Sequence, residues 1–197
     1  MCFSYAVCVL GADLMNVYDF DNTIYDGDST LDFYKYCLLH YPKIIICLPR
    51  QVMAAFMYLL KQIDKTSFKE EFYCFLQKLQ DVESIVTTFW NKNEHKIKKW
   101  YIDQHENADV VISASPYFLL KEICDRIEIK HLIASNVNPV TGKYIGMNCY
   151  GEEKARRFIS EIGGTVDQFY TDSPSDLPMM KLAATSYMVN GTKIIRK

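Results

Sequence analysis

Three short apolar runs in this chain each break off into carboxylates or hydroxyls, and no other feature restricts the possible folds so tightly. Leu14 to Tyr18 enters Asp19-Phe20-Asp21-Asn22-Thr23; Val110-Val111-Ile112 enters Ser113-Ala114-Ser115-Pro116; Gln168 to Tyr170 enters Thr171-Asp172-Ser173-Pro174-Ser175-Asp176. Apolar runs this short, bounded by turn formers, read as buried strands. Helical spacing follows the second run through about Arg126, recurs from Glu152 to Ile162 and is expected again from Pro174 to Ala184. Strand alternating with helix predicts an α/β fold, a doubly wound parallel sheet with a Rossmann-like core. His131 to Ala134 adds a strand, Pro139 to Gly146 a hairpin turning at Thr141-Gly142, and Tyr187 to Ile195 a second hairpin centred on Asn190-Gly191.

The alternation is interrupted once. After Asp26-Gly27-Asp28-Ser29, a turn and helix start, the spacing stays helical to about Gln104. About four helices fit there, with Pro42 near one start, Pro49 a break, Ser67-x-x-Glu70 a capping box and Asp81 an N-cap. The expected organisation is a core built from residues 1–28 and 105–197 and an inserted α-helical cap over 29–104, joined near Ser29 and Gln104. Tyr36 to Leu60 is the most apolar part of the cap. His40, Pro42, Lys43, Pro49, Arg50 and Gln51 interrupt it, and Val52 to Leu60 falls short of the ~20 apolar residues a spanning helix needs. It is read as the core of the helical bundle, with contact at a membrane surface as the second reading.

About half of the 197 residues are apolar and the formal net charge is -2, the profile of a globular protein. Such a balance gives no basic excess for a nucleic-acid backbone, so no nucleic-acid partner is expected. Seven scattered cysteines without a C-x-x-C pair point to buried thiols and a reducing, cytoplasmic location. The residues before Met15 lack a basic n-region and contain Asp13, which argues against a signal peptide, and Met15 is expected to be the natural start. The four histidines show no metal spacing. Lys92, Lys96, Lys98 and Lys99 read as a solvated helix face packed by Trp90 and Trp100.

In a doubly wound sheet, ligands collect beyond the carboxyl ends of the strands, which is where all three polar tips fall. Asp19 and Asp21, two apart in extended chain, point to one side and repel unless a cation or a shared proton separates them. Oxygen ligands without a Cys or His cluster favour Mg²⁺, with Asp19, Asp21 and Asp172 as the ligand set.

The order D-x-D-x-T after the first strand, Ser113 after the second, Lys154 in Gly151-Glu152-Glu153-Lys154 and the acidic pair Asp172 and Asp176 resembles the haloacid dehalogenase superfamily. The helical insertion between the first two motifs is similar to that of its phosphoserine-phosphatase-like branch. This resemblance implies a phosphate-monoester hydrolase with Asp19 as nucleophile and Asp21 as general acid and then base. It further implies Ser113 and Lys154 as phosphate ligands, Mg²⁺ as cofactor, Thr23 bracing the loop, and Asp176 orienting Lys154 or a metal-bound water. A small phosphorylated substrate is the implied partner, with Asp28 and Ser115 as possible contacts; Asp28 is equally suited to capping its helix. Thr171 stands where relatives often carry Gly. Cys149-Tyr150-Gly151-Glu152-Glu153-Lys154 also resembles the bacterial phosphatidylglycerophosphate phosphatases, which implies a phospholipid headgroup as an alternative substrate. A phosphotransferase, or a phospholigand-binding module without turnover, fits the same residues.

Overall fold

The computed structural model describes residues 14–197. Expectations that fall on residues 1–13, including the absence of a signal peptide, the start at Met15 and the state of Cys2 and Cys8, lie outside the described residues. Six strands form one sheet: β1 Leu14–Tyr18, β2 Val110–Pro116, β3 His131–Ser135, β4 Thr165–Thr171, β5 Ala183–Asn190 and β6 Lys193–Arg196. Their order is β3-β2-β1-β4-β5-β6, and every pair is parallel except the β5–β6 hairpin at Asn190-Gly191. The fold is therefore mixed α/β with a mostly parallel sheet.

Register fixes where the polar tips meet. Tyr18 pairs with Val111 on one side and with Tyr170 on the other, so β1, β2 and β4 release Asp19, Ser113 and Asp172 at the same edge. The amide of Asp19 donates to the Tyr170 carbonyl at 2.8 Å, extending the ladder one residue into the loop that follows β1.

Alternating side chains supply two cores. Val17, Val110, Ile112, Val166 and Phe169 face α7 (Glu152–Glu161) and the short α8 (Leu177–Met180), where Phe158 and Met179 are buried. Tyr18, Val111 and Tyr170 face the other way, toward α6 (Tyr117–Arg126) and the inserted helices. Those helices are α1 Ser29–His40, α2 Leu48–Leu59, α3 Lys65–Phe72, α4 Val82–Asn93 and α5 Lys99–Ile102. Phe33, Phe89 and Trp90 from α1 and α4 join Leu119 and Leu120 of α6 in one continuous buried cluster, and the Trp90 indole donates to the Leu119 carbonyl at 2.7 Å.

Several local expectations are corrected. Pro174 to Ala184 is not one helix: a 3-10 turn and the four-residue α8 give way to β5 at Ala183, which pairs with Val166. Ser67 does not open α3, because Asp64 is the N-cap and accepts from the Ser67 amide at 2.7 Å. Asp81 does cap α4, accepting from the Ser84 amide. The hairpin expected from Pro139 to Gly146 is a turn with a single bridge, Val137 to Tyr144. Gly142 makes that turn possible: its φ is +72°, and a Cβ there would stand 2.5 Å from the Tyr73 carbonyl oxygen. Lys96 and Lys98 are not a solvated face, since Lys96 pairs with Asp32 at 2.7 Å and Lys98 donates to the carbonyls of Asn22 and Gly191.

The bundle-core reading of Tyr36 to Leu60 is overturned in its second half. In α2 only Gln51 and Ala54 are buried, while Val52, Met53, Phe56 and Leu59 are exposed. Pro42–Leu59, a 3-10 turn running into α2, is long and apolar enough to cross a membrane by length and composition alone, and little of it is buried. The described cysteines, Cys37, Cys47, Cys74, Cys124 and Cys149, are buried and unpaired.

Candidate active site

The loop after β1 is closed on itself. The Asn22 amide donates to the Gly27 carbonyl at 2.8 Å, Asn22 adopts a left-handed φ of 55°, and the amides of Ile24 and Tyr25 return to the Phe20 carbonyl. Phe20, wholly buried, stacks on Tyr25 and meets Trp90 edge-on, so the residue between the two aspartates anchors the loop in the core. That leaves Asp19 and Asp21 at the floor of a cavity of about 410 Å³.

Asp19 is buried, and its Oδ1 accepts from Lys154 Nζ at 2.6 Å. Lys154, on the first turn of α7, is buried as well and also donates to Asp176 Oδ2 at 2.8 Å. Asp176 Oδ2 accepts from the Thr171 hydroxyl at 2.8 Å, and the Thr171 Oγ1 accepts from the Ser173 amide at 3.0 Å. Thr171 thus holds Asp176 in place. Burial pushes Asp19 up to about 7 against the pull of the Lys154 ammonium.

The carboxyl of Asp21 belongs to a different set of partners. Oδ1 accepts from the Ser29 amide at the start of α1 at 2.7 Å, and Oδ2 accepts from the Ser115 hydroxyl. Ser115 is held in turn by Thr30 at 3.0 Å. Burial first, and then the charge of Asp28, push Asp21 up to about 6 despite these donors. Asp28 caps α1, accepting from the Leu31 amide at 2.9 Å, and also lines the cavity.

Asp172 lies beside Asp19 and Asn22, and its carboxyl is raised, chiefly by burial. Two neighbouring carboxyls short of solvent suit a hard cation, so Asp19 and Asp172 fit Mg²⁺. Among the described residues no three His, Cys, Asp or Glu side chains are grouped to hold a metal, because the Asp21 carboxyl is turned to Ser29 and Ser115. Of the three carboxylates expected as ligands, Asp19 and Asp172 stand together, while the Asp21 carboxyl is held by α1 and β2.

Ser113 lines the cavity and its Oγ accepts from the Ser115 amide at 3.0 Å, which leaves the hydroxyl proton for a ligand. Ser115 lines the cavity too, and its hydroxyl donates to the Asp21 carboxyl. Thr23 is fully buried and its hydroxyl has no partner among the described residues, so it packs the loop without bracing it by a hydrogen bond.

Four wall residues escaped the sequence reading. Lys65, Phe68, Lys69 and Phe72 lie on one face of α3 and line the cavity. Lys69 Nζ donates to the Ala114 carbonyl at 2.9 Å, and Lys65 Nζ sits 3.3 Å from the Tyr150 ring centroid. Burial and then the Lys65 charge push Lys69 down to about 8. The spacing 65, 68, 69, 72 is a helical stripe, a signal present in the sequence beside the capping signal of this segment.

The profile of the haloacid dehalogenase-like hydrolases matches residues 17–181, and the chain belongs to that family. A histidinol-phosphatase of Neisseria meningitidis serogroup C is 27% identical over 110 residues, which are 48% of this chain and 50% of that protein. The chain thus spans about half the length of this curated relative. A protein of unknown function from Bordetella pertussis Tohama I superposes with a TM-score of 0.72 at 17% identity, covering 87% of each chain. A phosphoserine phosphohydrolase-like protein from Francisella tularensis superposes with a TM-score of 0.55 at 14% identity, over 88% of this chain and 85% of that one. At these identities the superpositions establish the shared fold.

Proposed function

We propose that this hydrolase is a Mg²⁺-dependent phosphatase that cleaves a phosphate monoester through an aspartyl-phosphate on Asp19. The observation that carries this reading is the unequal environment of two carboxyls on one loop. Asp19 has an ammonium at 2.6 Å, whereas Asp21 has only neutral donors and the like charge of Asp28. Burial raises both carboxyls, Asp19 to about 7 and Asp21 to about 6, so the division into nucleophile and acid rests on the cations beside Asp19, the Lys154 ammonium and a bound metal, which would keep it ionised.

Lys154 engages Oδ1 of Asp19, so Oδ2 is the attacking atom. The Asp19 oxygen forms a bond to phosphorus, the phosphorus to leaving-oxygen bond breaks, and the leaving oxygen takes the proton of Asp21. Water then attacks phosphorus, gives its proton to Asp21 and releases Asp19 with inorganic phosphate, which restores the starting state. Ser113 donates to a phosphoryl oxygen and Lys154 neutralises charge. Asp19, Asp172 and, since the Asp21 carboxyl is engaged elsewhere, the Asp21 main-chain carbonyl would hold Mg²⁺. When bound, the ion supplies Lewis-acid stabilisation of phosphoryl charge and keeps Asp19 ionised.

The cap residues narrow the substrate class. Two lysines facing the cavity oppose a cationic leaving group and favour one that carries a second anionic group, with Phe68 and Phe72 covering its apolar part. Release of phosphate from p-nitrophenyl phosphate with and without Mg²⁺, in the wild type and in Asp19→Asn, tests the reading. Metal-dependent turnover that Asp19→Asn abolishes is expected; turnover surviving in that variant removes Asp19 as nucleophile.

A further inference from the structure

Helix α2 wears its polarity inside out. The exposed positions Pro49, Val52, Met53, Phe56, Leu59 and Leu60 recur at helical spacing and form one apolar stripe, while the inward face carries Gln51 and Ala54. Val52 is 65% exposed, Leu59 77%, and Ile46, in the preceding 3-10 turn beside the similarly exposed Ile45, 70%. Leu39 at the end of α1 is exposed too. Apolar side chains so numerous and so close together exceed the scattered exposure ordinary for a folded surface.

Within the segment that carries this stripe the charges have one sign. Residues 33–63 contain Lys35, Lys43, Arg50 and Lys61 and no Asp or Glu, in a chain whose net charge is -2. Arg50 is paired with Glu71 and Lys35 with Asp32. Lys43 and Lys61 are exposed, flank the stripe at either end, and have no ion-pair partner among the described residues. An outward apolar stripe bounded by unpaired cations matches the acyl boundary and the anionic headgroups of a bilayer leaflet. A second copy of the chain suits it less well, because a two-fold contact would bring these cations together without a carboxylate in the segment to meet them.

The inward face decides how such a helix would lie. Gln51 Oε1 accepts from the Tyr34 hydroxyl at 2.6 Å, and its Nε2 donates to the Phe72 carbonyl at 2.8 Å. Ile44 and Cys47 are buried one turn earlier. Crossing a bilayer would break all of these contacts, whereas lying flat keeps them. We propose that α2 and the 3-10 turn before it form a docking face that inserts, parallel to the membrane plane, into the surface of an anionic lipid bilayer. Tyr58 of α2 stacks on Phe68 of α3 at 5.1 Å between ring centroids, and Phe68 lines the catalytic cavity, so the docked face is one helix away from the site. The inference concerns a surface and does not rest on the phosphatase reading.

Vesicle flotation tests it. Full-length protein is mixed with vesicles of phosphatidylcholine and phosphatidylglycerol in equal parts, or of phosphatidylcholine alone, and compared with Phe56→Glu/Leu59→Glu and with Lys43→Glu/Lys61→Glu. All three proteins are first shown to melt cooperatively, and the second pair of substitutions falls on exposed side chains. The expected result is flotation of the wild type with the anionic vesicles, and an apparent affinity lower by about tenfold or more in the first variant, since each inserted side chain of this size carries at least that factor. The second variant should lose the preference for anionic lipid. Wild type that floats with neither population overturns the proposal, as does binding unchanged in both variants. Wild type that sediments as a dimer without binding lipid, and becomes monomeric on Phe56→Glu/Leu59→Glu, overturns it in favour of a second copy.

Discussion

Lys154 Nζ lies 2.6 Å from Asp19 Oδ1 with both side chains almost fully buried, so the nucleophile proposed here cannot be separated from a structural ion pair. A buried carboxylate deprived of its cation must either take up a proton or remain uncompensated. Lys154→Met leaves both Asp19 and Asp176 in that state. The expected loss is about 3 kcal/mol of stability by urea titration at neutral pH, together with loss of phosphate release. Asp176→Asn should lose less, because Lys154 keeps Asp19.

Ser115 offers a narrower test, since its hydroxyl donates to the Asp21 carboxyl. Ser115→Ala removes one of the donors that pull Asp21 down, so Asp21 rises further and is less firmly oriented. The kcat for an aryl phosphate is expected to fall by about ten- to a hundredfold with KM little changed. If Ser115 instead contacted substrate, KM would rise and kcat would hold.

Asp172→Asn should separate metal binding from chemistry. Its carboxyl is the only side chain beside Asp19 assigned to the cation without also being assigned a share of the bond making. The Mg²⁺ concentration giving half-maximal activity is expected to rise by about tenfold or more, and direct titration of Mg²⁺ by calorimetry should weaken in parallel. Unaltered Mg²⁺ titration in both measurements would remove Asp172 from the ligand set.

How much of this was legible in the sequence depends on the length scale of each signal. The strand tips at Asp19, Ser113 and Asp172 were readable because a buried strand followed by turn formers is a local pattern, and parallel pairing brings such ends to one edge without further information. Asp81 as an N-cap was readable for the same reason. Ser67 misled because two candidate caps, Asp64 and Ser67, stand three residues apart and only the docking of α3 chooses between them. The direction of the Asp21 carboxyl was not legible at all: it depends on the Ser29 amide and on Ser115, 94 residues away. Nor was the exposure of α2, since periodicity shows that a helix has an apolar stripe and not what the stripe faces.

Lys69 carries a prediction in pH. Burial and the neighbouring charge of Lys65 lower its pKa to about 8, so the ammonium is present below that pH and lost as pH rises through it. On the proposed reading its charge serves a leaving group with a second anion. The ratio of kcat/KM for an aryl phosphate bearing a carboxylate to that for its neutral counterpart should therefore be high at pH 7 and fall as pH passes about 8, because kcat/KM reports the free enzyme. Lys69→Met should flatten that ratio across the same range while leaving turnover of the neutral substrate within about twofold, since truncating a contact to a group the neutral substrate lacks removes no transition-state interaction from it. A ratio indifferent to pH and to Lys69→Met would show that the lysine serves the fold through the Ala114 carbonyl and has no part in choosing the substrate.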